Sequence, residues 1–283
     1  MHLDLLQSLS LCGDLATPND DRAGASARCA WVIDGATDLA PPGLLGDRGG
    51  AAWLAATVDA AFGLGEAADL RATCASVYET VAARYAAERR REPAGAWELP
   101  SASFAAVQLV GGSLEVAWAG DCAILRARAD GAVDWLTPAP DRAAESVEAA
   151  ALGDALGGVR TPAVIADRRA ARERPGRRVL GVEAAASSAS TDHASVTAAL
   201  GDTLLLMSDG FATLVDSYDA YDAPGLMAAV RERGVAALAE ELRAIERDDP
   251  DCRRFPRFKR SDDATALWVR VGPRPRLREE AVA

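Results

Sequence analysis

Aspartates at the ends of short apolar runs are the residues of this sequence with the clearest chemical potential. Four aspartates lie directly after or before such a run: Asp34, Asp121, Asp209 and Asp262. An acidic pair, Asp20 and Asp21, precedes the run that ends at Asp34. The end of a strand holds its side chains rigidly, so these carboxylates converge if the strand ends lie together. Carboxylates in one cleft repel one another and stay ionised only where cations neutralise them.

This acidic pattern favours a particular kind of metal. An all-oxygen site suits Mg²⁺ or Mn²⁺ better than zinc or copper. Two such ions a few ångströms apart can acidify a water and hold the oxygens of a phosphoryl group for in-line displacement. Asp34 and Asp209 are each followed by glycine, which lets a backbone carbonyl come close to a metal.

Composition excludes several other classes of protein. The chain has 283 residues and a formal net charge of −11, which argues against duplex nucleic acid as a partner. Its two histidines make a Ser-His-Asp triad unfavourable. Its five cysteines are scattered, which argues against a zinc ribbon or a disulfide framework and favours a cytoplasmic location. No apolar run approaches the roughly 20 residues of a membrane span.

The elements that must position the aspartates alternate between hairpins and helix pairs. This order predicts an α+β fold, a four-layer α/β/β/α sandwich in which helix pairs flank two antiparallel sheets. We expect one domain over residues 1–283, with 138–180 as a surface insertion or flap. The predicted strands are the N-terminal run, Arg28–Asp34, Ala102–Val110, Ser113–Ala119, Cys122–Arg128, Ala132–Leu136, Val196–Leu200, Thr203–Ser208 and Ala264–Val271. The predicted helices are Gly50–Phe62, Glu66–Arg91, and two in Pro224–Arg247 that break near Gly234.

Five short motifs in chain order carry a resemblance to a known family. Asn19–Asp21 is similar to the family's Asn-Glu-Asp, Val32–Gly35 to its apolar-Asp-Gly, and Ala119–Cys122 to its Gly-Asp-Ser. Leu206–Phe211 is similar to Ser-Asp-Gly-Leu and Asp262–Thr265 to Asp-Asn-x-Thr. Each motif is weak alone, but five in this order span nearly the whole chain, which therefore resembles the metal-dependent type 2C (PPM) serine/threonine protein phosphatases. The family fold agrees with the sandwich predicted above.

The resemblance implies specific roles for the acidic residues. Asp34, Asp209 and Asp262 would be catalytic and would bind two Mn²⁺ or Mg²⁺ ions directly, with Gly35 binding through its carbonyl. A metal-bridging hydroxide would then attack the phosphorus of a phosphoserine or phosphothreonine.

The remaining acids would complete the metal site. The resemblance implies that Asp20 acts through bound water and that Asp21 supports the same shell of ligands. Asp121 would join Asp209 in holding a weaker third ion.

The sequence also departs from the family around the substrate phosphate. Ala16 stands where the family commonly has a phosphate-binding arginine, and Ala36 stands where some members have a histidine that acts as the acid for the leaving group. We expect Arg22, beside the acidic pair, to substitute in substrate binding, although a solvated surface charge explains it equally well. The basic residues before Asp262 either attract a phosphorylated substrate or form a solvated loop: Arg253, Arg254, Arg257, Lys259 and Arg260.

The sequence therefore predicts a phosphoprotein phosphatase. Its partners would be a phosphorylated protein and a cognate kinase, with no nucleic acid and no membrane, and the protein would be monomeric. Two alternatives stay open. One is a pseudophosphatase that binds a phosphoprotein or regulator with little turnover, and the other is a hydrolase of small phosphate compounds on the same scaffold.

Overall fold

The structure is a computed structural model that describes residues 1–47, 49–152 and 161–273. The strands in these residues are β1 (His2–Leu11), β2 (Asp21–Ala25), β3 (Cys29–Gly35), β4 (Ser101–Val110), β5 (Ser113–Ala119), β6 (Ala123–Ala127), β7 (Val133–Trp135), β8 (Leu180–Gly181), β9 (Asp192–Thr197), β10 (Thr203–Met207) and β11 (Ala264–Gly272). The helices are α1 (Gly50–Gly63), α2 (Leu70–Glu88), α3 (Ala143–Leu152), α4 (Pro162–Glu173), α5 (Ala184–Ser190), α6 (Asp209–Asp216) and α7 (Ala223–Asp248).

The strands form two sheets in which every described pairing is antiparallel. One sheet has the order β1-β11-β10-β6-β7, and the other has the order β2-β3-β4-β5-β9 with β8 paired to β4. The prediction of two antiparallel sheets is confirmed.

Alternation along the strands builds the layers. In β3, Trp31 and Ile33 pack with apolar residues of α1 and α2, whereas Val32 packs between the two sheets. In β10, Leu206 joins the core between the sheets and Leu205 packs with α6 and α7. Because successive side chains of a strand point to opposite faces, each central strand serves two apolar layers. The predicted α/β/β/α sandwich is thereby confirmed.

Several elements differ from the sequence-based prediction. The helix α6 directly follows the strand β10, where we predicted only a strand end at Asp209, and β2, β8 and α5 were also missed. The strand predicted at Val196–Leu200 runs instead over Asp192–Thr197. These elements are short or have few apolar residues, so periodicity does not reveal them. The break predicted near Gly234 is confirmed by a φ of 80° there, inside α7.

The segment 138–180 contributes two helices, α3 and α4, that lie beside the end of β3. Arg169 donates from Nη2 to the carbonyl of Leu39 at 2.8 Å, and Arg172 donates from Nη2 to the carbonyl of Thr37 at 2.5 Å. These bonds join α4 to the loop after β3. Residues 153–160 lie outside the described residues, and the independence of this segment as a flap stays a prediction. Among the described helices, none is long and apolar enough to cross a bilayer.

Asp249 organises the loop that leads from α7 to β11. Its carboxylate accepts bonds from the backbone N–H groups of Arg253, Arg254 and Phe255 at 2.9, 3.1 and 3.1 Å, and from Arg257 Nη1 at 2.7 Å. This network is mostly shielded from water, and it holds the basic stretch that precedes Asp262.

Replacing Asp249 tests this role. Asp249→Ala removes the carboxylate that accepts from three backbone donors and pairs with the partly buried Arg257 guanidinium, so we expect a loss of about 3 kcal/mol in the free energy of unfolding. Urea denaturation measures it. The neighbouring exposed Asp248 supplies the control, since Asp248→Ala should change the free energy by less than about 0.5 kcal/mol. Equal effects of the two substitutions would contradict the network.

Candidate metal centre

Three of the predicted acids come together at one end of the sandwich. Asp34 lies near the end of β3, Asp121 follows β5, and Asp209 begins α6. One carboxylate oxygen from each lies within 4.8 Å of the others. Residues 175 positions apart in the chain thus meet because the ends of β3 and β10 lie at the same end of the two sheets.

Two glycines permit this convergence. Gly120 has a φ of +83°, and a Cβ there would lie 2.2 Å from Ser103 Oγ. The same hydroxyl donates to Asp121 Oδ1 at 2.5 Å, which orients that carboxylate. At Gly210, a Cβ would lie 2.0 Å from the carbonyl oxygen of Asp263, so only glycine lets α6 start against the chain entering β11.

Asp262 lines the same cavity as these three acids, but it has a cationic partner. Lys259 Nζ lies 2.6 Å from Asp262 Oδ1. Burial raises the pKa of Asp262, but the positive charges of Lys259 and Arg142 outweigh burial and hold the pKa below its usual range. Asp262 is therefore ionised in the metal-free protein.

Arg142, just before α3, reaches the acidic cluster from the segment 138–180. Its Nη2 lies 3.3 Å from Asp209 Oδ2 and 2.9 Å from Glu145 Oε2. Arg142 was not among the residues predicted for the site. No motif separates Arg142 from the other arginines of the segment, so only the fold could reveal it.

The remaining acids lie behind the cluster. Asp21 pairs with Asp34 across β2 and β3, is 1% exposed, and accepts a bond from Ser208 Oγ at 2.7 Å. Its Oδ1 is buried without a hydrogen-bond partner. Asp20 and Gly13 each donate a backbone N–H to Asp263, at 2.7 and 2.8 Å. The carboxylate of Asp263 is therefore bonded to the backbone, and Asp262 is the one that lines the cavity.

Asp38 is a further acid that the sequence analysis missed. Its Oδ1 accepts a bond from the backbone N–H of Ala51 at 3.3 Å, in the first turn of α1. Burial, and next the negative charge of Asp38, raise the pKa of Asp20 to about 7. The sequence shows that Asp38 precedes the predicted helix Gly50–Phe62, but it does not show that Asp38 lies close to Asp20.

The crowding of charge is severe at the centre of the cluster. Burial, and then the Asp209 carboxylate, raise the pKa of Asp34 well above its usual range. Burial also raises the pKa of Asp209 to about 6, although the Arg142 guanidinium opposes that rise. Without added positive charge, the cluster therefore holds protons that isolated aspartates would release near pH 4.

The donor set fits a hard divalent cation. Asp34, Asp121 and Asp209 offer only oxygen ligands, and the orphaned Asp21 Oδ1 lies behind them. Gly35 lines the cavity as well, and a Cβ there would lie 2.9 Å from the carbonyl oxygens of Asp20 and Ala51. Carboxylate and carbonyl oxygens are the ligands that Mg²⁺ and Mn²⁺ prefer.

A cavity of about 620 Å³ opens from this cluster towards α3, α4 and the loop before β11. Arg22 does not line it. The Arg22 guanidinium donates from Nη1 to the backbone carbonyls of Asn19 and Asp21, at 3.0 and 2.5 Å. Of the basic stretch before Asp262, the cavity is lined by Arg254, Arg257 and Lys259.

Comparisons with known proteins show the fold. No family model and no curated protein matches this sequence. Among solved structures, the serine/threonine phosphatase PstP/Ppp of Mycobacterium tuberculosis is 20% identical, with a TM-score of 0.57 over 96% of this chain and 100% of that one. A structure of the PstP catalytic domain with two manganese ions gives 20% identity and a TM-score of 0.56, over 96% of this chain and 99% of that one.

A further similar structure is the PPM Ser-Thr phosphatase MsPP of Mycobacterium smegmatis in complex with cacodylate. It is 19% identical, with a TM-score of 0.56 over 95% of this chain and 99% of that one. The chain therefore has the fold of the PPM phosphatases along almost all its length, as the sequence resemblance implied.

The raised pKa values predict how the metal-free protein responds to pH. The folded state holds protons on Asp209 and Asp20 up to about pH 6 and 7, whereas the unfolded state releases them near pH 4. Stability therefore falls as the pH rises through this window. Carboxylates with lowered pKa values, such as Asp262, lose their contribution only below about pH 4 and do not offset the fall.

We expect the thermal midpoint in EDTA to be at least about 3 °C higher at pH 5 than at pH 7, the effect of about 1 kcal/mol in a chain of this size. Mn²⁺ should raise the midpoint more at pH 7 than at pH 5, because at pH 5 it must displace protons. Differential scanning calorimetry measures both. A metal-free midpoint that is higher at pH 7 would contradict the crowding of these carboxylates.

Proposed function

We propose that the protein hydrolyses phosphoserine and phosphothreonine esters in proteins, with two Mn²⁺ or Mg²⁺ ions as cofactors. The observation that carries this proposal is the meeting of Asp34, Asp121 and Asp209 within 4.8 Å, at one end of a fold shared with PPM phosphatases. Bound metal would neutralise the carboxylates, orient the phosphoryl group and activate a water for in-line attack.

The chain's own residues divide into ligands and supports. Asp34, Asp209 and Asp262 would hold the ions directly, with Gly35 binding through its carbonyl, and Asp121 would share a weaker third ion with Asp209. Two of these ligands are held in place by neighbours, because Ser103 orients Asp121 and Lys259 orients Asp262.

The residues behind the cluster would support the metal ligands without binding the ions directly. Asp21 accepts a bond from Ser208, and Ser208 Oγ in turn accepts the backbone N–H of Thr265 at 3.0 Å, so Asp21 links the motifs around β2, β10 and β11. Asp20, whose backbone is bonded to Asp263, would act through bound water.

Arg142 takes over the substrate role that we first assigned to Arg22. It lines the cavity beside Asp209, whereas the Arg22 guanidinium is committed to backbone carbonyls outside it. A guanidinium donates several hydrogen bonds in one plane and suits a phosphate. The arginine absent at Ala16 is thus replaced from a different element of the fold. A cation at this position also favours turnover over the pseudophosphatase alternative, which Ala16 and Ala36 had motivated.

The function is tested by measuring hydrolysis of p-nitrophenyl phosphate and of a phosphothreonine peptide. We expect turnover with Mn²⁺, none with EDTA, and a loss of more than about a hundredfold in Asp209→Asn, since even residues that only orient metal ligands cost up to that much. Calorimetric titration should show weaker Mn²⁺ binding by the same variant. The exposed Asp251→Asn is the matched control and should behave as the parent protein.

Two outcomes of that assay would overturn the proposal. Mn²⁺ binding without turnover of any ester would assign the protein to phosphoprotein binding, and turnover of the small ester alone would assign it to small phosphate compounds. The cognate kinase, the cytoplasmic location and the monomeric state stay predictions.

Arg142 and Arg22 can be separated by parallel substitutions. We expect Arg142→Gln to raise KM for the phosphopeptide by about ten- to a hundredfold, the value of a charge-assisted hydrogen bond. Arg22→Gln should change KM by less than about twofold, because the Arg22 guanidinium is bonded to backbone carbonyls and does not line the cavity. Mn²⁺ affinity should not fall in Arg142→Gln, since that guanidinium repels an approaching cation. Weaker Mn²⁺ binding with an unchanged KM would show instead that Arg142 only supports the carboxylates.

A further inference from the structure

The cations that line the cavity differ in whether they have an acidic partner. Most are paired: Arg142 and Arg168 with Glu145, Arg257 with Asp249, and Lys259 with Asp262. Arg254 lies over the ring of Phe255, with 4.8 Å from Cζ to the ring centroid. Arg172 and Arg177 have no salt bridge within the described residues, although both line the cavity.

Arg172 uses its guanidinium on neutral groups. Its Nη2 bonds to the carbonyl of Thr37 at 2.5 Å, and its Nη1 to the carbonyl of Trp97 at 3.3 Å. Carbonyl oxygens satisfy the N–H donors but do not cancel the positive charge. The negative charge of Asp38 also acts on Arg172, but its effect is smaller than that of Arg177, and the two side chains form no salt bridge within the described residues. Because Thr37 comes three residues after Asp34, the remaining positive charge lies on the side of the cavity that borders the acidic cluster.

Arg177 has even fewer partners. Its side chain is half-buried, and it makes no hydrogen bond to any other described residue. Its backbone is held, because Ser190 Oγ donates to the Arg177 carbonyl at 3.4 Å. A partly buried cation without a counterion is costly, and it gains free energy when an anion binds.

The two arginines are also close enough to act together. Burial, and next the positive charge of Arg177, lower the pKa of Arg172 to about 10. Burial alone lowers the pKa of Arg177. Both side chains remain protonated at neutral pH. An anion that enters the cavity is therefore attracted by the two positive charges together.

We propose that Arg172 and Arg177 form a second anion subsite, which binds a carboxylate or phosphate on the residues that flank the phosphorylated residue of the substrate. This inference rests on the proposed function and narrows it to phosphoproteins with acidic or multiply phosphorylated sites. The chain as a whole carries a net charge of −11 and repels such segments. Preference for them therefore has to come from a local positive site.

The test uses binding of fluorescent peptides that carry a non-hydrolysable phosphonate analogue of phosphothreonine, measured by anisotropy in Mn²⁺. Four peptides are compared: one with neutral flanks, one with two adjacent glutamates, one with an adjacent phosphoserine, and one with the two glutamates moved to its far end. The last controls for total charge. We expect the adjacent anions to tighten binding by about tenfold, and the distant glutamates to add little.

Arg177→Gln is the informative variant, because Arg172 also fixes the loop after β3. The ratio of affinities for acidic and neutral flanks should fall from about tenfold to near one in Arg177→Gln. It should stay at the parental value in Arg174→Gln, an exposed arginine that does not line the cavity. If only the phosphoserine peptide is preferred, the subsite takes phosphate; if both are, it takes either anion.

Two results would overturn the subsite: equal parental affinity for all four peptides, or a preference that Arg177→Gln retains. Neither result affects the proposed function when a phosphothreonine peptide is still hydrolysed in Mn²⁺. Conversely, a preference that depends on Arg177 in a protein without turnover would support the subsite and contradict the phosphatase activity.

Discussion

The mutual repulsion of aspartates held at one end of the sandwich is the constraint on which the rest of the structure depends. The ends of β3, β5 and β10 place Asp34, Asp121 and Asp209 within 4.8 Å of one another. In a partly buried site such charges persist only with protons or cations between them. Burial of these carboxylates disfavours their charged form, so the arrangement is one that a divalent cation could neutralise.

Two cationic side chains of the protein offset part of this repulsion. Lys259 lies 2.6 Å from Asp262, and Arg142 lies 3.3 Å from Asp209. Both come from segments outside the two sheets, the loop after α7 and the segment 138–180. The sandwich therefore supplies the carboxylates, and the surrounding segments supply the positive charge that a phosphate would meet.

Much of the fold and the acidic site could be predicted from the sequence, for a physical reason. Apolar strands are visible by composition, and an aspartate at a strand end has few possible orientations, so Asp34 and Asp209 could be placed early. Arg142 could not, because a long flexible side chain in an arginine-rich segment carries no periodic signal. The helix α6 was missed because its eight residues begin directly at the strand end, without a turn.

The most direct test of the account is a crystal structure of the protein grown with Mn²⁺, with anomalous diffraction recorded at the manganese edge. The account predicts anomalous peaks in contact with the carboxylates of Asp34 and Asp209, and an Arg142 guanidinium that no longer bonds to Asp209. An ordered site without anomalous density between these carboxylates, at saturating Mn²⁺, would contradict it.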